Sequence, residues 1–157
     1  MARHVAARKV RDIMTRRPKT VRPNLPVRAL QELFVAHGFN AFPVVDEAYT
    51  LLGIVTKLDL LRIFRHDARR ILPDLGALWA DAVEDIMRRR VVTLVPEDAV
   101  TTAVDRMLSE RLRSVPVVER RGRKDVLVGI VSRGDVVKHL VFESEDPSGH
   151  RRLPTTA

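Results

Sequence analysis

Two segments of this chain pair a hydroxyl residue with an aspartate three positions later, an arrangement that can cap a helix or hold a sugar. Thr56 precedes Asp59, and Ser132 precedes Asp135. Each pair follows an apolar, β-prone stretch and opens a segment with helical apolar spacing. The hydroxyl can bond the third amide of that helix, and the aspartate suits its positive end. The same carboxylate can accept hydrogen bonds from both hydroxyls of a ribose.

Capping and ligand binding are compatible interpretations of this block. A single block of this kind is most simply explained by capping. A helix that begins in a cleft is also a natural site for a phosphate. The role of the block therefore depends on the elements that place it in the fold.

The two blocks belong to an internal repeat. The first two matching blocks are offset by 73 positions (10 to 83) and the third by 76 (53 to 129), so the second repeat carries three extra residues. We expect these in the loop 120–125, where added length costs little. A duplicated unit of this size predicts two similar modules packed together, with related clefts where they join. The matching blocks are residues 10–14 with 83–87, 42–45 with 115–118, and 53–59 with 129–135.

Each repeat is predicted to run short strand, helix, strand, strand, helix. Gly38 suits a left-handed end for the first helix, where repeat 2 has Arg111. Pro43 and Pro116 cannot donate to a ladder, so each is expected at a strand start or in an edge strand. The central strands are predicted as hairpins, residues 41–46 with 51–55 and residues 114–119 with 126–131.

The predicted boundaries follow the repeats. Repeat 1 covers residues 10–66 and repeat 2 covers 83–142, with a basic helical linker at 67–82 and a flexible tail at 143–157. Proline, serine and glycine in the tail are typical of frayed chain ends.

Composition narrows the class of protein. Apolar residues make up 45% and charged residues 31%, which is typical of a globular domain. No apolar run is long enough for a transmembrane helix, and the first residues lack the apolar stretch that a secretory signal needs. The chain has no cysteine, which suits a reducing cytoplasm and excludes disulfides. We therefore expect a cytoplasmic protein without membrane contact.

The net charge of +8 raises the question of nucleic acid. The arginines are spread along the chain, and aromatic residues are only 4%, too few for a base-stacking platform. We therefore do not expect nucleic acid as a partner. The five histidines form no metal-spaced pair, and no P-loop or nucleophile elbow is present. We expect no catalysis, no metal and no required cofactor.

In their order and spacing, these features resemble the cystathionine β-synthase (CBS) domain family, and the tandem pair resembles a Bateman module. The resemblance implies an α/β (α+β) fold of two β-α-β-β-α repeats packed by a pseudo-twofold axis. It further implies clefts that bind AMP, ADP, ATP or S-adenosylmethionine, and a homodimer. The matching features are the Val-x-Asp-Ile-Met start, the Pro-Val-Val-Asp or Pro-Val-Val-Glu strand, and the Gly-h-h-[Thr/Ser]-x-x-Asp block, where h is an apolar residue.

Site residues are carried over from the resemblance position by position. It implies that Asp59 and Asp135 bind ribose hydroxyls, with Thr56 and Ser132 near ribose or phosphate. The repeated block within this order favours a ligand role in at least one repeat. The adenine is expected beside backbone and apolar groups of Thr20, Ala41, Phe42 and Pro43, or of Thr93, Ser114, Val115 and Pro116.

Core packing is an open alternative for part of this set. Phe42 and Val115 can equally belong to the cores, and Thr20 and Thr93 can simply favour strands.

The repeats differ where phosphates are expected. Repeat 2 has Arg113 and Arg133 where repeat 1 has Asn40 and Lys57. The planar guanidinium grips phosphate better than an ammonium, so a phosphate-bearing ligand is predicted to prefer a pocket involving repeat 2. Solvated surface arginines are the alternative explanation.

The leading hypothesis is a regulatory module that senses an adenosine-containing ligand and acts on an unidentified effector protein. A ligand-independent scaffold and a basic nucleic-acid-associated protein are the alternatives. Apolar residues of the second helices are candidates for dimer contacts, though burial within the pair explains them equally well. They are Leu58, Leu61, Val136 and Val137.

Overall fold

The computed structural model of the protein describes residues 8–66 and 81–139. The predicted tail, and the predicted linker apart from its last two residues, lie outside the described residues. The elements are α1 (Val10–Ile13), β1 (Thr15–Arg16), α2 (Val27–His37), β2 (Ala41–Val45), β3 (Leu51–Thr56), α3 (Lys57–His66), α4 (Val83–Ile86), α5 (Val100–Ser109), β4 (Ser114–Arg121), β5 (Lys124–Ser132) and α6 (Arg133–His139).

Two antiparallel hairpins form the centre of the fold. β2 pairs with β3, and β4 pairs with β5, which also carries β1 on its other side. β4 is therefore an edge strand, which suits Pro116, and the sheet of β2 and β3 has only edges, which suits Pro43. Each hairpin has an irregularity at the same repeat position, after Val44 and after Val117.

The three extra residues lengthen a hairpin, so the prediction of a loop at 120–125 is wrong for most of that segment. Arg120 pairs with Asp125 and Arg121 with Lys124. Only two residues turn the chain, and Gly122 adopts a φ of 62°. Two-residue hairpin turns favour residues with a positive φ, because the backbone twist of such turns matches the right-handed twist of the flanking strands.

The short strands predicted before the first helices are single bridges in the structure. Val21 forms a parallel bridge with Val44, and Leu94 forms the equivalent bridge with Val117. The helix α2 ends at Gly38 with a φ of 64°, as the glycine predicts.

A pseudo-twofold axis relates the two repeats, and the backbone hydrogen bonds show it. The amide of Val10 donates to the carbonyl of Asp98 at 2.8 Å, and the amide of Val83 donates to that of Leu25 at 2.9 Å. Donors and acceptors in the two bonds differ by the same repeat offset of 73. The predicted arrangement of two packed β-α-β-β-α repeats is confirmed.

The leading segments of the repeats, residues 8–16 and 81–89, exchange places between the two cores. Val10 and Ile13 of α1 pack with the apolar residues of repeat 2, whereas Val83 and Met87 pack with those of repeat 1. The other buried residues of the first core are Leu94, Val100, Ala103, Met107, Val115, Val117, Val131 and Val136. Those of the second core are Val21, Leu30, Phe34, Phe42, Val44 and Val55.

Ion pairs also hold the leading segment 8–16 against repeat 2. Glu97 of repeat 2 accepts hydrogen bonds from Lys9 and from Arg11, the latter at 2.6 Å. The hydrogen bond from Lys9 and the nearby charge of Arg11 lower the pKa of the Glu97 carboxyl. These side chains are about half exposed, so the core packing of Val10 and Ile13 contributes more.

Two glycines permit each leading segment to lie directly against a strand of the other repeat. A Cβ atom on Gly53 would lie 2.7 Å from the carbonyl oxygen of Arg88 and 2.9 Å from the sulfur of Met87. A Cβ on Gly129 would lie 2.7 Å from the sulfur of Met14 and 3.0 Å from the carbonyl oxygen of Thr15.

Across residues 8–66 and 81–139, no helix combines the length and apolar character needed to cross a bilayer.

We expect Gly53→Ala to lower the free energy of unfolding by about 1–3 kcal/mol, because the new methyl group forces backbone apart. Denaturant unfolding followed by circular dichroism measures this. Gly134→Ala is the matched control, since its Cβ would meet only Ser132 Oγ at 3.5 Å. That control should be neutral or gain up to about 1 kcal/mol, because alanine is the better helix former. Equal stability of the two variants would contradict the close approach.

Candidate functional site

A cavity of about 350 Å³ lies where the repeats join. Its size falls in the range of small-molecule sites. Both repeats contribute to its wall. The lining residues are Thr15, Pro18, Lys19, Gly38, Phe39, Asn40, Ala41 and Pro43 from repeat 1, and Arg113, Ser114, Ile130, Ser132 and Asp135 from repeat 2.

The junction of β5 and α6 places one carboxylate at this cavity. The amide of Ser132 donates to Asp135 Oδ2 at 2.8 Å, and the amide of Asp135 donates to Ser132 Oγ at 3.1 Å. These two bonds form the predicted capping arrangement, in which the Ser132 amide holds the carboxylate in place. Among the described residues, the hydrogen bonds of this carboxylate use Oδ2 alone, so Oδ1 is available to a ligand.

The equivalent carboxylate of repeat 1 is fully occupied. Oδ2 of Asp59 accepts the amide of Thr56 at 2.9 Å and its hydroxyl at 2.8 Å. Oδ1 accepts Nη1 of Arg62 at 2.8 Å and Nε of Arg88 at 3.0 Å. The side chain of Asp59 is only 3% exposed. Within the described residues, Asp59 is also the one charged residue that is buried.

Two cations face the cavity from opposite repeats. Lys19 and Arg113 both line it, and Nζ of Lys19 lies 3.3 Å from Nε2 of His37. Arg133 is directed elsewhere, because its Nε donates to the carbonyl of Leu112 at 2.7 Å. Their two positive charges favour an anionic ligand in this cavity.

An aromatic ring lies in the wall of the same cavity. Phe39 is 44% exposed, and its ring stacks on His37 at 5.5 Å and meets Phe42 edge-on at 5.7 Å. Contacts on two sides restrict this ring. It presents an apolar surface suited to a flat heterocycle.

The structure brings together six of the residues predicted from the sequence: Ala41, Pro43, Arg113, Ser114, Ser132 and Asp135. These were grouped by repeat in the sequence, whereas the cavity combines residues from both.

Other predicted residues lie away from this cavity. Phe42 and Val115 are at most 1% exposed and belong to the two cores. Thr20 adjoins the bridge at Val21, and the carbonyl of Thr93 accepts a hydrogen bond from Arg106. Pro116, Thr56, Asp59 and Arg133 are likewise not part of the wall of this cavity.

Several lining residues were missed by the sequence reasoning, among them Thr15, Lys19 and Phe39. Their counterparts in repeat 2 are Arg88, Val92 and Leu112. Each of the three differs in type from its counterpart, and this difference is the signal that the sequence carries for them. The exchange that brings Thr15 beside β5 has no signal in the sequence.

The fold and cavity define a tandem α/β repeat module with a cleft of small-molecule size at the repeat interface. The family model of the CBS domain matches residues 10–66 and 83–142. The chain belongs to the CBS domain family, as its sequence features predict.

Solved structures with the same fold include two that hold adenosine compounds. CBSX2 in complex with AMP is 28% identical and superposes with a TM-score of 0.70, covering 83% of this chain and 94% of that one. The CBS domain pair of MJ0100, in complex with 5′-methylthioadenosine and S-adenosyl-L-methionine, is 26% identical with a TM-score of 0.69. That comparison covers 84% of this chain and 94% of the other.

Sequence relatives differ in length from this chain. The chloroplastic CBSX2 of Arabidopsis thaliana is 28% identical over an alignment of 150 positions that covers 82% of this chain and 62% of that protein. The L-aspartate semialdehyde sulfurtransferase of Methanocaldococcus jannaschii is 28% identical over 127 residues. These cover 81% of this chain but 22% of the enzyme.

The two aspartates should contribute unequally to stability. We expect Asp59→Ala to lower the free energy of unfolding by about 1–3 kcal/mol, because it removes four hydrogen bonds and leaves the part-buried amide and hydroxyl of Thr56 without this partner. Asp135→Ala should cost no more than about 1 kcal/mol, the net value of one hydrogen bond. Parallel denaturant titrations measure the difference. A larger loss for Asp135→Ala would contradict the described bonding.

Proposed function

We propose that this chain is a cytoplasmic regulatory module that binds an adenosine-containing ligand, AMP, ADP or ATP before S-adenosylmethionine, in the cavity between its repeats. The observation that carries the proposal is the orientation of Asp135. Its Oδ2 is used in capping, while its Oδ1 remains available at a cavity lined by cations and an aromatic ring.

The ribose is assigned to Asp135. A carboxylate oxygen without a protein donor accepts hydroxyl hydrogen bonds well, and these bonds are charge-assisted. The hydrogen bond from the Ser132 amide fixes the carboxylate before any ligand arrives, and the bond from the Asp135 amide to Ser132 Oγ fixes the start of the helix. Such preorganisation lowers the entropic cost of binding.

The adenine is assigned to the apolar wall formed by Phe39, Ala41 and Pro43, with Ile130 facing it from β5. The ring of Phe39 supplies stacking area and is already restricted by its neighbours. Polar atoms of Ser114 and Asn40 in the same wall can read the edge of the base.

The phosphates are assigned to Lys19 and Arg113. Both line the cavity, and the two positive charges disfavour the cationic sulfonium of S-adenosylmethionine relative to a nucleotide. The complexes of CBSX2 with AMP and of MJ0100 with 5′-methylthioadenosine and S-adenosyl-L-methionine support adenosine as the shared part of the ligand.

The output is proposed to pass to an effector protein rather than to a reaction in this chain. A ligand that contacts both repeats favours one relative arrangement of them, and a partner that senses this arrangement responds by population shift. The relatives with enzyme names are consistent with this role, since the chain matches about a fifth of the sulfurtransferase.

A thermal-shift screen with AMP, ADP, ATP, S-adenosylmethionine and single-stranded RNA tests the proposal. A ligand at one hundred times its dissociation constant should raise the melting temperature by about 5–10 °C. Asp135→Ala should abolish the shift while leaving the protein folded. Lys19→Ala should weaken AMP binding more than adenosine binding, because it removes a phosphate contact alone.

The outcomes separate the hypotheses. No shift with any adenosine compound refutes ligand sensing and favours the scaffold alternative. A shift with RNA alone favours nucleic-acid association. An unchanged shift in Asp135→Ala refutes the ribose assignment.

We further propose that the second helices mediate a homodimer. Leu58 and Leu61 on α3 are 53% and 62% exposed, and Val137 on α6 is 68% exposed. Val136 is instead buried in the core. For this residue, burial within the pair of repeats is therefore the correct alternative. Exposed apolar side chains on the second helices of both repeats support a partner surface of the same kind.

Sedimentation equilibrium should give the mass of a dimer for the wild type and of a monomer for Leu61→Glu, since a buried unpaired charge disfavours the interface. Val95→Glu is the control, because Val95 is an exposed apolar residue outside these helices. A wild-type monomer, or a dimer that Leu61→Glu leaves intact, contradicts this surface.

A further inference from the structure

We propose that Arg88 and Arg62 close the cleft related to the ligand cavity by the pseudo-twofold axis, so that one chain offers a single adenosine site. The inference rests on the proposed function and adds the residues that decide which cleft is used. It is based on the carboxylates of Asp59 and Asp135, which have the same backbone surroundings but different neighbouring side chains.

The backbone around both carboxylates is the same. Asp59 and Asp135 lie at equivalent positions, three residues after a hydroxyl residue at the end of a strand. In both, Oδ2 accepts the amide of that hydroxyl residue, at 2.9 Å and 2.8 Å. Any difference between the clefts therefore arises from side chains.

Arg88 is held where it can reach the carboxylate. Its amide donates to the carbonyl of Ile54 and its carbonyl accepts the amide of Ile54, both at 2.9 Å. This bridge fixes its backbone beside β3, and its Nε then bonds Asp59 Oδ1 at 3.0 Å. The equivalent residue in repeat 1 is Thr15, which pairs with Ile130 and lines the cavity. A threonine in this position leaves Oδ1 of Asp135 available.

Arg62 completes the closure from α3. Its Nη1 bonds the same oxygen of Asp59 at 2.8 Å, one turn along the helix. The equivalent residue on α6 is Lys138, which makes no bond to Asp135 among the described residues. Asp59 Oδ1 thus has two guanidinium donors, and Asp135 Oδ1 has none within the same part of the chain.

Binding of a ribose at Asp59 would have to break these ion pairs. Guanidinium groups and ribose hydroxyls both make charge-assisted bonds to a carboxylate, but only the guanidinium groups also neutralise its charge. The arginines are 53% and 44% exposed, yet the carboxylate they bind is 3% exposed. Exchange of two arginines for ribose hydroxyls therefore replaces ion pairs with bonds to neutral groups. The cleft at Asp59 is disfavoured for a ribose even though its capping motif is intact.

Isothermal titration with AMP, and in parallel with S-adenosylmethionine, tests the inference through stoichiometry. The double variant Arg62→Lys plus Arg88→Thr gives Asp59 the residues found around Asp135. We expect about one ligand per chain for the wild type and about two for the double variant at saturation, with weaker binding at the second site because Val92 and Leu112 stand where the cavity has Lys19 and Phe39. The control Arg89→Thr removes the neighbouring positive charge and should leave the stoichiometry at one.

A second arm isolates the opened cleft and guards against a folding defect. Asp135→Ala alone should bind no ligand, and its combination with Arg62→Lys and Arg88→Thr should restore one site per chain. Circular dichroism confirms that each variant is folded. One ligand per chain in both the wild type and the folded double variant refutes the role of the arginines and leaves the proposed function standing. No binding to the wild type refutes the proposed function itself, whereas two sites in the wild type refute the closure alone.

Discussion

The close packing of each leading segment against the strands of the other repeat is the constraint on which the rest of this structure depends. Arg88 and Ile54 exchange two backbone hydrogen bonds, and Thr15 occupies the equivalent place beside Ile130. Neither contact tolerates a side chain at Gly53 or at the equivalent glycine of β5. Because each core needs a helix from the other repeat to be complete, the two repeats fold as one unit. The cavity lies at the join that this exchange creates.

A symmetric backbone with asymmetric side chains explains how one duplication yields two different clefts. The capping of Asp59 and of Asp135 is nearly identical, so each helix begins in the same way. The residue delivered by the exchanged segment is an arginine in one cleft and a threonine in the other. A charged side chain beside a buried carboxylate satisfies it internally, whereas a short one leaves it available for a ligand. The Oδ1 atom of such an aspartate can therefore either stabilise the fold through ion pairs or accept a hydrogen bond from a ligand.

Local patterns predicted most of the architecture correctly. The hairpins, the helices, the end of α2 at Gly38 and the family all follow from residue types and their order. Errors arose where pairing overrides composition. The basic segment at 120–125 has the polar character of a loop, yet it extends a hairpin because its partner strand continues and Gly122 completes a two-residue turn. The phosphate role of Arg133 stays a prediction, and in the structure its Nε bonds the carbonyl of Leu112.

The sequence by itself determined the duplication, the fold class and the two hydroxyl–aspartate blocks, because these depend on spacing and on contacts between residues close in the chain. The tertiary structure decided which residues share a cleft, since Ala41 and Pro43 meet Ser132 and Asp135 only through the packing of one repeat on the other. It also decided which carboxylate remains available. That outcome depends on Arg88 reaching Asp59 from 29 positions away, a contact that no local pattern encodes.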